Sequence, residues 1–188
     1  MSERNLVVGI DFSTRELDLV RRQQGTVNAD WRRISIRSFA DHAERDAYAA
    51  REAARLLLED PGWWNDVWLA GIEYPFTRQG PALGLKTVMG AIIATIPEHV
   101  HVLPMPTSLW QPEFLRVRRS DPKPKLPRTS AERKPLTAAR ARQLLQFGES
   151  ASAWPQDVLD AFGISWAAEQ INKAAIPTAP GPGMRIPA

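Results

Sequence analysis

Leu6-Val7-Val8-Gly9-Ile10 is an unbroken apolar run that stops at Asp11, the pattern of a central strand covered on both faces. Val67-Trp68-Leu69-Ala70-Gly71-Ile72 repeats that pattern and stops at Glu73, and Val100-His101-Val102-Leu103 predicts a third core strand. Between the first two, strands are predicted around Glu16–Arg22 and Arg32–Arg37, with Gly25 and Asn28 marking the turn that joins them. Ser38, with Asp41 three residues on, has the form of a capping box. It opens a helix in which Ala43, Ala47, Ala50, Ala54 and Leu57 recur at helical spacing, and Asp60-Pro61-Gly62 ends it. Leu85, Val88, Met89, Ile92 and Ile96 give a second helix its apolar face before Pro97; Gly84, Gly90 and Ala94 would let it pack closely on a sheet. Leu136–Phe147 predicts a short helix ended by Gly148, and Pro155 stands near the start of a last one.

Strands in a meander, followed by strands alternating with helices, predict an α/β fold with one mixed central sheet flanked by helices. The 188 residues suit a single domain, 1–176, with one core. From Gln111 to Pro135 the periodicity dissolves among Pro112, Pro122, Pro124, Pro127 and Pro135, so a loop or lid is expected over about 112–135. The Pro/Gly-rich tail 177–188 is expected to be disordered.

Charge sharpens this picture. The net charge is +3, yet the stretch from Arg116 to Arg142 carries ten Lys/Arg against Asp121 and Glu132, for +8, which leaves −5 on the rest. A mildly acidic body with one basic segment points to a polyanion met at one place; the alternative is a solvated charge run. The candidate phosphate contacts there are Arg116, Arg118, Arg119, Lys123, Lys125, Arg128, Arg133 and Lys134. The absence of cysteine excludes disulfides, thiolate metal sites and a Cys nucleophile. No apolar run approaches the roughly 20 residues that span a bilayer, so a soluble, cytoplasmic protein with no membrane partner is expected.

Two buried strands that end in carboxylates are the most informative chemical feature. Taking an unpaired carboxylate out of water costs several kcal/mol unless something neutralises it. Parallel neighbouring strands would bring Asp11 and Glu73 together at the carboxyl edge of the sheet. Asp157 and Asp160 lie three apart on one helix face that continues through Ile164, Ala167 or Ala168, and Ile171, so they stand at the end of an inward stripe. Four carboxylates make a hard, all-oxygen donor set suited to Mg²⁺ or Mn²⁺, and two such ions can cleave a phosphodiester. His99 and His101 alternate along a strand without further ligands. Ser13 has no His/Asp partner, and the lack of a Walker-type glycine loop argues against a nucleotide cofactor.

With these residues in place, the chain resembles the RuvC-type Holliday-junction resolvases, from Val7 to about Ala174. Gly9-Ile10-Asp11-Phe12-Ser13 resembles the family's Gly-Ile-Asp-Pro-Gly-Ser/Thr motif, Ile72-Glu73-Tyr74-Pro75-Phe76 its Ile-Glu-x-x-Phe, and Asp157-Val158-Leu159-Asp160-Ala161 its Asp-x-x-Asp-Ala. The resemblance implies an RNase H-like fold and a catalytic, two-ion site on Asp11, Glu73, Asp157 and Asp160. It also implies a homodimer that nicks four-way DNA junctions in pairs. Phe76 takes the place of the aromatic that stacks on junction bases, the alternative being a core residue under a loop. Ser130-Ala131-Glu132-Arg133-Lys134 resembles the family's Ser-Ala-x-Lys segment and makes Arg133 or Lys134 the phosphate ligand. The sequence departs from the pattern at Phe12-Ser13, where the family has Pro-Gly, and near Trp110-Gln111, where its basic residues have no counterpart. Two rival functions stay open: a nuclease of the same fold acting on flaps or forks, and a non-cleaving nucleic-acid-binding module. A sugar-kinase-like ATPase is discounted for want of a second domain and an adenosine site. Among the tryptophans, Trp63, Trp64 and Trp68 are expected to pack, and Trp110 is left between packing and base stacking.

Overall fold

The computed structural model describes residues 5–36, 42–75, 83–116, 120–145 and 154–175. Strands β1 (Leu6–Phe12), β2 (Glu16–Gln23) and β3 (Ala29–Ser35) form the antiparallel meander. β4 (Val67–Tyr74) and β5 (His101–Pro106) then join parallel to β1 and to each other, giving the order β3-β2-β1-β4-β5. The helices are α1 (His42–Leu58), α2 (Leu83–Thr95), α3 (Thr107–Leu115), α4 (Ser130–Leu145) and α5 (Gln156–Ala175), with a 3-10 turn at Pro61–Trp64. This is the single-domain mixed sheet flanked by helices that the pattern predicts.

The apolar runs serve two cores because side chains alternate across a sheet. Val8, Ile10, Leu19, Ala70 and Ile72 face α1 and α2, whereas Val7, Val20 and Leu69 face α3, α4 and α5. Gly9 and Gly71 are register partners on the second face. A Cβ on Gly9 would overlap the Ala161 carbonyl oxygen, and one on Gly71 would come within 2.9 Å of the Ala168 Cβ. This glycine pair therefore sets how closely α5 lies on the sheet. Asp11 and Glu73 stand two residues further along their strands, so they point to the same side as α5.

Several predicted boundaries move. The predicted strand at Arg32–Arg37 is found at Ala29–Ser35. Its continuation at Arg37 and the capping box at Ser38 and Asp41 lie outside the described residues. In α1 the buried stripe runs through Ala49, Ala50, Ala53 and Leu57, with Ala47 exposed, since an alanine-rich helix states its inner face weakly. Gly84 meets Asp46 of α1 rather than the sheet, and Gly90 faces open space.

The largest correction concerns the loop expected over 112–135. α3 runs to Leu115 with Pro112 inside it, and α4 begins at Ser130 with Pro135 inside it. A mid-helix proline costs about 3 kcal/mol. Burial of Trp110 and Phe114 in α3, and of Ala138, Ala141 and Leu145 in α4, offsets that cost. A buried aromatic or aliphatic side chain is worth about 1.5–3 kcal/mol. Thr129 also caps α4: Glu132 N–H donates to Thr129 Oγ1 at 3.3 Å and Thr129 N–H donates back to Glu132 Oε2 at 3.3 Å. The helix predicted from Leu136 thus begins earlier, at Ser130, and is described to Leu145; Phe147 and Gly148 lie outside the described residues. Among the described residues no helix is long and apolar enough to cross a membrane.

Candidate active site

β1 and β4 run side by side and parallel, with Ile10 opposite Ile72, so the next residues, Asp11 and Glu73, leave the sheet together at its carboxyl edge. α5 begins over the same edge, and its first two turns carry Asp157 and Asp160. Carboxylate oxygens of Asp11, Asp157 and Asp160 lie within 4.8 Å of one another. Glu73 is in hydrogen-bonding reach of Asp11. All four line one cleft of about 300 Å³.

Electrostatics set the character of this cleft. Burial pushes Asp11 well above the usual carboxylate range, and the neighbouring charges of Glu73, Asp160 and Asp157 push it further. Asp160, 6 % exposed, is raised to about 6, chiefly by burial. Hydrogen bonds from Thr137 Oγ1 and Gln156 Nε2, each at 3.0 Å to Asp160 Oδ1, and the charge of Lys134 work against that rise. Lys134 sits 3.5 Å from Asp157 Oδ1. Its own burial lowers its pKa, but Asp157 and Asp160 outweigh this and raise it. Among the described residues, six carboxylates and two cationic side chains, Arg133 and Lys134, line the cleft. The imbalance and the all-oxygen donors fit a hard divalent cation, which Asp11, Glu73, Asp157 and Asp160 could hold.

Two of those six acids went unnoticed in the sequence. Asp18 is the register partner of Asp11 and only 2 % exposed. Arg33 donates to both its oxygens, at 2.8 and 3.1 Å, yet burial still leaves Asp18 above its ordinary value. Glu16, Asp18 and Asp157 form a second acid group within 4.8 Å. The signal was the alternation Glu16-Leu17-Asp18-Leu19, in which a polar face is covered by a helix. Gln111, 4 % exposed, also lines the cleft, and its Oε1 is buried with no hydrogen-bond partner among the described residues. It occupies the stretch where the family pattern has basic residues.

The basic residues are not equivalent. Arg133 and Lys134, near the N-terminal end of α4, border the cleft. Arg128 and Arg133 also line a neighbouring groove with Pro112 and Pro124. Lys125 is exposed. Arg116 donates to Glu113 at 2.8 Å, and Lys123 is 3.5 Å from the same carboxylate. Phe76, Arg118 and Arg119 lie outside the described residues. Trp110 is 1 % exposed and directs its Nε1–H to Glu73, so it packs and does not present a stacking face.

The solved structures that this chain resembles include two of Thermus thermophilus RuvC. One, the RuvC structure alone, is 17 % identical, with a TM-score of 0.61 over 90 % of this chain and 96 % of that one. The other, RuvC in complex with a Holliday junction substrate, is 17 % identical, with a TM-score of 0.62 over 89 % and 96 %. The fold is the RNase H-like one. No family model matches the sequence, and no curated protein does.

Proposed function

We propose that the chain is a divalent-metal-dependent, structure-selective DNA endonuclease that cuts four-way junctions by paired symmetric nicks, acting as a homodimer. The observation that carries this reading is the convergence of Asp11, Glu73, Asp157 and Asp160 at one sheet edge, in a fold shared with a protein solved on a Holliday junction. Asp11, Glu73, Asp157 and Asp160 would hold two ions, Mg²⁺ or Mn²⁺, which would supply charge neutralisation at the scissile phosphate and lower the pKa of the attacking water.

The chain's own residues hold and aim. Asp11, beside Glu73 of β4 and within 4.8 Å of Asp157 and Asp160 of α5, would hold the cation together with these three. Lys134 neutralises part of the acid charge in the free protein and can turn to a phosphate when DNA arrives. Arg133 and Arg128 continue that positive border along the groove beside α3, giving the strand an electrostatic track. Phe76 follows Glu73 by three residues and is the candidate base-stacking wedge. Two equivalent scissile strands in a four-way junction call for a C2 dimer presenting one site to each.

The deciding experiment is cleavage of a synthetic four-way junction with strand-specific end labels, beside linear duplex and flap DNA, with Mg²⁺ and with EDTA. Symmetry-related nicks on opposing strands, dependent on Mg²⁺, are expected. Equal cutting of flaps by a monomer would move the reading to a general branched-DNA nuclease. Junction binding without cutting at any metal concentration would leave a binding module.

A further inference from the structure

Glu73 and Asp160 are held in the same way by unrelated elements. Glu73 Oε1 receives two donors from the first turn of α3: Thr107 Oγ1 at 3.1 Å and Trp110 Nε1 at 3.4 Å. Asp160 Oδ1 receives two donors as well, Thr137 Oγ1 from α4 and Gln156 Nε2 from α5, both at 3.0 Å. In each case both donors fall on one oxygen, with the Asp11 carboxyl a further neighbour of Glu73. Thr137 has a single hydroxyl proton and a second acceptor, the Lys134 carbonyl at 3.0 Å; a charged carboxylate is the stronger acceptor.

We propose that Thr107 with Trp110, and Thr137 with Gln156, are two matching clasps that restrict Glu73 and Asp160 to one metal-facing oxygen each and so set the ion preference of the site. The inference rests on the metal-site reading above and adds positioning residues to it. A carboxylate with one oxygen committed to two donors offers a cation a single, fixed ligand atom. That suits Mg²⁺ or Mn²⁺, which want near-octahedral geometry at short distances, and disfavours Ca²⁺, which readily takes both oxygens of a carboxylate in a looser shell. Partners that orient metal ligands in this way are typically worth about 10–100-fold in metal affinity. The clasps also explain why Trp110, deep in the core, carries its only polar atom toward the cleft.

The test uses the full chain and calorimetric titration with Mn²⁺ and with Ca²⁺, no DNA present. Thr107→Val removes one donor from Glu73 at nearly constant shape, and Gln156→Leu removes one from Asp160; both positions are only partly buried, and circular dichroism reports whether each variant folds. The parent should prefer Mn²⁺. Each variant should lose about 10–100-fold in Mn²⁺ affinity and less in Ca²⁺ affinity, so that the preference narrows, and Thr107→Ser should restore it. Parental Mn²⁺ affinity in both variants, or equal losses for the two ions, would overturn the clasps while leaving the metal site standing. A parent that binds neither ion would remove the metal site itself.

Discussion

Asp11 and Asp160 are expensive for the folded chain when no cation is near, and the expense has a measurable sign. Asp11 is raised by burial and by three neighbouring acids, so Asp11→Asn should abolish Mg²⁺-dependent cleavage, by about a thousandfold or more, yet raise the melting temperature of the metal-free protein. Glu73→Gln should lose cleavage similarly while keeping the fold. A variant that cuts at close to the parental rate would remove that residue from the metal site. Asp160 carries its proton up to about pH 6 in the folded state, whereas the unfolded chain releases it near the ordinary aspartate value of about 3.9. The folded state therefore binds more protons across that window, and stability falls as pH rises through it. Metal-free parent should lose stability relative to Asp160→Asn between about pH 4 and 6, by about 3 kcal/mol at most. Melting curves of the two proteins in EDTA would check it; a constant difference across that range would contradict the buried, cation-seeking Asp160.

At the scale of elements, α5 is the piece on which the site depends, and two contacts fix its position. At the sheet, Gly9 admits the Ala161 backbone. Gly9→Ala should cost about 1–3 kcal/mol through overpacking and should lower cleavage at temperatures where the variant is still folded, because Asp157 and Asp160 ride on the displaced helix. Unchanged cleavage in the folded variant would mean that α5 adjusts without moving the acids. Further along, Arg22 of β2 pairs with Glu169, both fully buried, and Glu169 also accepts from Gly25 N–H at 3.0 Å and from Lys173. Burial raises Glu169, but the charge of Arg22 and these hydrogen bonds outweigh it and hold the carboxyl below its ordinary value. Its stabilisation is complete above the unfolded pKa and is lost as pH falls through the lower folded one. Glu169→Gln should cost about 3–5 kcal/mol, since it leaves Arg22 buried without a counter-charge. Urea unfolding at neutral pH and at pH 3 would check both points, the cost shrinking at the acid end.

For the whole molecule, charge distribution governs how a polyanion is met. The cleft is acidic and its border is basic, with Arg128, Arg133 and Lys134 on one side. DNA binding should weaken steeply with salt, by about 0.9 in log affinity per log salt for each neutralised phosphate. Neutralising Arg133 and Lys134 together should flatten the slope by about one to two. Binding measured in Ca²⁺ across a salt series gives the slope directly, and an unchanged one would return these residues to solvated surface.

The meander followed by strands alternating with helices, the two-faced burial of β1 and β4 and the placing of Asp11 and Glu73 at the ends of those strands were all legible in the amino-acid order. Those properties follow from period-two alternation and unbroken apolar runs, which are local. Asp157 and Asp160 were legible too, because a three-residue spacing on a helix is also a local fact. The helices around Pro112 and Pro135 were not, since local propensity argues against them and only burial against α5 and the sheet overrides it. Asp18, Glu16 and Gln111 were hidden for a related reason: each becomes a cleft residue only when elements far apart in the chain pack together. The pairing of Asp11 with Asp18, the seat of α5 on Gly9 and Gly71, and the donors on Glu73 and Asp160 are set by contacts between elements. Local pattern determined which elements form and which carry acids; the distances between those acids, and hence their protonation, were decided by tertiary packing, because desolvation and charge repulsion depend on separation in space and not along the chain.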